Sequence, residues 1–169
     1  MSFAKIEGPP KVVRFYYLVD DIFNAVSNRS ANRALEVKDQ SGNPDFNRTE
    51  ISIDKKDIIK EFMEEGLIDI FANALFNLME SDTVKHDVDY TPTGGTQDKY
   101  SYGDITDHER YRNINLDLID KKIKNGLINF ILWKWYDLKA MGEDAKMRLA
   151  EYNLYVKTIA EKSVALRTR

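Results

Sequence analysis

Residues 125–145 read NGLINFILWKWYDLKAMGEDA. Aliphatic and aromatic side chains crowd the first part, and Met141-Gly142-Glu143-Asp144 then interrupts them. The run from Leu127 to Tyr136 holds Asn129 and Lys134 and is far shorter than the roughly 20 apolar residues needed to span a bilayer. It therefore reads as a helix buried by protein. Gly142 marks a break, and Glu143 and Asp144 suit the positive first turn of a following helix. Ala145, Leu149, Tyr152, Val156 and Ile159 then recur at alternating spacings of four and three, which puts them on one helical face. Two long helices separated by so short a turn predict an antiparallel helix hairpin. Upstream, Thr106 and Glu109 fit a capping box, so the first of these helices is expected over 106–140, about 50 Å long. Leu127, Phe130 and Ile131 are expected to meet Tyr152 and Val156. Trp133 and Trp135 lie about 200° apart on a helix. One is expected to pack inside the subunit and the other to approach a neighbour, since tryptophan is enriched at interfaces.

The chain of 169 residues is expected to form one domain, and its 43% hydrophobic content supplies enough apolar surface to offset ordering entropy. There is no cysteine, which excludes disulfides, thiolate nucleophiles and cysteine-ligated zinc or iron–sulfur centres. The opening MSFAKIEGPPKVVRF lacks a basic region followed by an apolar run, so no signal peptide is expected. A net charge of −3 argues against wholesale electrostatic binding of nucleic acid.

Gly8, Pro9 and Pro10 set off an N-terminal arm, 1–10, and a helix is expected to enter near Lys11. Phe15, Val19, Ile22 and Val26 give it an apolar face, and it should fade near Asn28 to Asn32. Residues 33–53 carry Ser-Gly-Asn-Pro between partly alternating segments and read as a loop or hairpin. The next helix is expected from Asp54, acting as cap with Ile53 stapled onto Ile58, to about Met79. Its wide apolar arc implies more than one neighbour.

Between 81 and 105 there is no helical period. Val84, His86, Val88 and Tyr90 alternate before Thr-Pro-Thr-Gly-Gly-Thr, and Tyr100 and Tyr102 alternate after it. This reads as a protruding, acidic β-hairpin or extended arm, with five Asp against two Lys. Its tyrosines favour contact with a partner. Residues 160–169 form a basic C-terminal tail. The fold class expected is mainly α: a helical bundle with a long antiparallel helix hairpin and one or two protruding β-hairpins or arms.

Chemistry is sparsely marked. His86 and His108 have no partner at metal-ligand spacing, and His108-Glu109 lacks the second histidine of a zincin helix. Gly94-Gly95 has no following Lys-Ser or Lys-Thr and reads as a turn, not a phosphate loop. The adjacent carboxylates Asp20-Asp21, Glu64-Glu65 and Glu143-Asp144 point about 100° apart on a helix and read as solvated or helix-start charges. The sequence thus reads as non-enzymatic, without cofactor or metal. Tyr90, Tyr100, Tyr102, Trp133, Trp135, Arg167 and Arg169 are the candidates for partner contact.

Three segments carry a family resemblance: SIDKKDIIKEFMEEGLIDIFANAL at 52–75, IDKKIKNGLINFILWKWYDLKAM at 119–141 and DAKMRLAEYNLYVKTIAEKSVALRTR at 144–169. Together with irregular arms and a charged tail, they make the chain similar to the head-to-tail connector, or adaptor, proteins of tailed bacteriophages. The last two resemble ring proteins of phages infecting Bacteroidetes, including crAss-like phages. The resemblance implies a structural virion protein, assembled in the host cytoplasm, that joins portal to tail. It implies a homo-oligomeric ring of about twelve copies, contacting the portal and neighbouring tail or ring proteins. DNA would pass its channel without sequence recognition, and no membrane would be involved. The competing expectation is a small helical regulatory or DNA-associated module that uses the basic C-terminus.

Overall fold

A computed structural model describes residues 3–7, 12–75, 84–101 and 115–164. The chain is mainly helical with a small antiparallel sheet. It begins with strand β1, Phe3–Glu7, which pairs with β2, Val12–Leu18. Residues 3–7 of the expected arm at 1–10 are thus an edge strand, and the rest of that arm lies outside the described residues. Helix α1, Val19–Glu36, follows β2 without a loop. The helix expected from Lys11 therefore starts later. The reason lies in VVRFYYL, whose β-branched and aromatic side chains favour a pleated, half-buried surface. Phe15 and Tyr17, two residues apart, are both fully buried. Val19, Ile22 and Val26 do form one buried helical face, but Phe15 belongs to the strand.

Nor does α1 fade at Asn32. Ser30 is buried, donates from Oγ to the Ser27 carbonyl at 2.9 Å and accepts from the Ile51 amide at 2.9 Å. Ser27 Oγ donates to the Ile51 carbonyl at 2.8 Å. Incoming backbone thus clamps the last turns of α1. Residues 37–45 form a loop closed by a single bridge, Lys38 to Pro44. Asp39 Oδ1 accepts from the amides of Ser41 at 2.8 Å and Asn43 at 2.9 Å, and Gly42 adopts φ +81. The rest of 33–53 is not hairpin: its start is α1, and α2, Phe46–Thr49, lies near its end.

Helix α3, Lys56–Ile70, is preceded by a 3-10 turn, Ile53–Lys55, and extended by a π-helical turn, Phe71–Leu75. Asp54 does not cap it. That carboxylate lies in the 3-10 turn and accepts from Ser52 Oγ and Lys55 Nζ. Ile53 is 71% exposed, so no staple forms. The expected extension to Met79 lies outside the described residues.

The hairpin at 81–105 is present as β3, Lys85–Tyr90, and β4, Thr96–Ser101. Its turn contains Gly94 at φ +82, where glycine avoids Cβ strain. It is not simply a protrusion. β4 also pairs with β2, through Tyr16 to Ser101, Tyr17 to Tyr100 and Leu18 to Lys99, giving the sheet order β1-β2-β4-β3.

Helix α4, Leu116–Leu138, is about 35 Å long at 1.5 Å per residue. Asn115 sits outside helical geometry and caps it, accepting from the Leu118 amide at 3.0 Å. A continuous helix from Thr106 is therefore ruled out, and the Thr106–Glu109 box lies outside the described residues. The break expected at Met141-Gly142 is present. Lys139 and Ala140 form the turn, Ala140 at φ 54, and α5 runs Gly142–Val164. Leu127, Ile131, Trp135 and Tyr136 of α4 are buried with Ala145, Tyr152 and Ile159 of α5.

Glu143 and Asp144 lie in the first turn of α5, as expected of helix-start charges, but Asp144 is not solvated. It is nearly buried and accepts from Arg33 Nε at 2.7 Å and Nη2 at 3.3 Å, tying α1 to the first turn of α5. This hydrogen bond, reinforced by Glu36, raises the Arg33 pKa further. Behind it lies the buried Tyr136 hydroxyl, which loss of solvation pushes up to about 12.

Candidate partner interface

Two glycines let α3 and α5 lie close on α4. A Cβ on Gly66 would fall 2.8 Å from Leu127 Cδ1 and 2.8 Å from Phe130 Cδ1, and one on Gly126 would fall 3.3 Å from Tyr155 Cβ. Between α3 and α5 a groove of about 700 Å³ remains open. Its lining residues Glu65, Ile68 and Asp69 of α3, continued by Ala72 of the π turn, are spaced as one helical stripe. Phe130 and Trp133 of α4 form its floor, and Leu149, Tyr152, Val156 and the cation Lys157 are among the residues of α5 that line its other wall. The π turn prolongs the α3 wall at Asn73, and such turns recur at functional sites.

Aromatic geometry fixes the floor. Phe130 packs edge-on against Trp133 at 5.3 Å and against Tyr152 at 5.2 Å between centroids. The expected contact of Phe130 with Tyr152 is thus present. The Tyr152 hydroxyl donates to Asp69 Oδ2. Burial first, and then this bond to a carboxylate, pushes the Tyr152 pKa far above its ordinary value. Among the described residues no lysine or arginine pairs with Asp69. Glu65, by contrast, accepts from Lys134 Nζ at 2.8 Å, and that ammonium lies 5.5 Å from the Trp133 ring centroid and 5.9 Å from that of Phe130. Lys134 thus occupies the cation position over these rings and neutralises Glu65. Ile68, 48% exposed, adds apolar surface open to a partner.

A second exposed feature is the hairpin tip. Tyr90 is 84% exposed and Val88 45%. The base of the hairpin is held: Lys60 of α3 donates to Asp98 at 3.0 Å, and this bond keeps the Asp98 carboxyl below its usual range. His86 stacks on Tyr100 with centroids 4.7 Å apart.

The contact candidates therefore separate. Tyr90 is on the surface, and Trp133 is half-buried on the groove. Tyr100, 4% exposed, is internal because β4 is an inner strand of the sheet. Trp135, 1% exposed, donates from Nε1 to the Thr49 carbonyl at 2.9 Å. Both are corrections: their rings are core. Tyr102, Arg167 and Arg169 lie outside the described residues, as does His108. Sequence reading placed Tyr152 as an apolar contact but missed Asp69 and the bond between them. The only available signal was a carboxylate set between Ile68 and Ile70 inside an apolar arc. Among the described residues no three His, Asp or Glu are placed to hold a metal ion, and no helix is long and apolar enough to cross a membrane. No family model, curated protein or solved structure matches the chain.

Proposed function

We propose that the chain is a structural, ring-forming subunit of a phage head-to-tail connector. In this reading α4 and α5 are a long antiparallel helix hairpin at the heart of a helical bundle, and the ring joins portal to tail around a DNA channel. The observation that carries it is the pairing of two unlike exposed surfaces on one chain: an aromatic, carboxylate-bearing groove and a tyrosine-tipped hairpin. Unlike surfaces favour heterologous, head-to-tail association, which closes into a ring when the rotation permits. The role needs mechanical fit and no bond-making chemistry. Light scattering across a concentration series is the test. The expected result is a discrete multi-copy species; a strictly monomeric chain that also fails to bind a portal would exclude the reading.

A further inference from the structure

We infer that the α3–α5 groove receives residues 164–169, VALRTR, of a second copy, with Arg167 on Asp69 and Leu166 against Ile68 and Trp133. The inference rests on the ring reading and names the contact that would hold neighbours together. The groove asks for an aliphatic segment bearing a cation. Lys134 already pairs with Glu65, and Lys157 on the groove wall with Glu161, whereas the Asp69 carboxylate has no cationic partner among the described residues.

Four segments of more than two residues lie outside the described fold. GPPK at 8–11 has one charge and two prolines. FNLMESDT at 76–83 has two acids and no base, net −2, and residues 102–114 have three acids and two arginines, net −1. Residues 102–114 also hold isoleucines, but only ALRTR at 165–169 combines an aliphatic side chain with a net positive charge, +2. Charge complementarity selects it.

The segment must come from another copy. Tyr152, which holds Asp69, precedes Val164 by three helical turns, roughly 18 Å at 1.5 Å per residue. Three residues beyond Val164 span at most about 10 Å, and a fully extended arginine side chain adds roughly 7 Å, still short of that rise even with the chain doubled straight back. Arg167 of the same chain thus falls short of its own Asp69, whereas a neighbour is free of that tether. Guanidinium on carboxylate then adds a charge-assisted bond to the apolar contact.

The absence of cysteine makes a clean test. Full-length Ile68→Cys and Leu166→Cys chains are mixed, oxidised with copper phenanthroline and run without reductant. Disulfide-linked dimers in the mixture, at least about tenfold above either variant alone, are expected. Asp69→Lys in the Ile68→Cys chain should reduce them about tenfold, and Arg167→Glu on the other chain should restore them. Asp69→Asn serves if the lysine variant does not fold. Rings by light scattering without mixed dimers would overturn this contact and leave the ring. Mixed dimers without rings would do the reverse. A bond formed only within a diluted double-cysteine chain would also overturn the contact, and monomers without any cross-link would sink both.

Discussion

The Tyr152 hydroxyl donates to the Asp69 carboxylate, joining α5 to α3 across the floor of the groove. A bond to a charged group contributes about 1.5–3 kcal/mol, and Asp69 is half-exposed, so Tyr152→Phe should cost about 1–2 kcal/mol in urea unfolding.

The same hydroxyl sets an alkaline limit. Tyr152 and Tyr136 both have pKa values raised above 10.0, Tyr136 to about 12. Below pH 10 each is protonated in both states, and stability should be flat. From pH 10 towards 12 the unfolded chain loses these protons while the folded chain retains them, so stability falls. Tyr152→Phe should make this alkaline decline shallower, measured as the change in urea midpoint between pH 9 and pH 11.

Gly66→Ala pits helix propensity against space. The new methyl gains about 1 kcal/mol of propensity, but it would lie 2.8 Å from Leu127 and Phe130 side chains in a packed core. Overpacking costs about 1–3 kcal/mol, so a net loss of about 1 kcal/mol is expected. Gly126→Ala, with its nearest contact at 3.3 Å, should be close to neutral in the same experiment.

Arg33→Ala leaves Asp144, whose side chain is 11% exposed, without its cation. A fully buried pair broken this way loses about 3–5 kcal/mol. Arg33 itself is 35% exposed, so about 1–2 kcal/mol is expected, and a cycle with Asp144→Asn should return a positive coupling.

The two tryptophans should part company. Trp135→Ala empties a buried site and orphans the Thr49 carbonyl, at a cost of about 3–5 kcal/mol by chemical unfolding. In the proposed ring, Trp133→Ala should shift stability by less than about 1 kcal/mol and weaken self-association by at least tenfold in light scattering. Unchanged assembly in that variant would remove the groove from the interface.

How much of this was legible depends on the range of the forces. The turn at Met141-Gly142 and the buried stripe of α5 follow from local periodicity and chain stiffness. The 200° offset of Trp133 from Trp135 correctly implied unlike surroundings. Residues 12–18 misled because Phe15 happens to fall in helical phase with Val19, and because β2 is stabilised by pairing with Lys99 to Ser101, more than 80 residues away. Asp54 looked like a cap, yet its carboxylate bonds to Ser52 and Lys55 instead. Asp69 and Tyr152 meet only through the packing of α3 and α5 on α4, which no spacing in the chain records.

Arg48 adds a matter of timing. Its guanidinium donates to the carbonyls of Lys139 at 3.2 Å and Ala140 at 2.9 Å, capping the end of α4 where Ala140 holds its left-handed backbone. The turn itself is local and closes early, whereas its clamp comes from 91 residues upstream and must await the docking of α2. Arg48 is therefore expected to act as a late latch: Arg48→Ala should quicken unfolding in stopped-flow experiments and leave the rate of folding almost untouched.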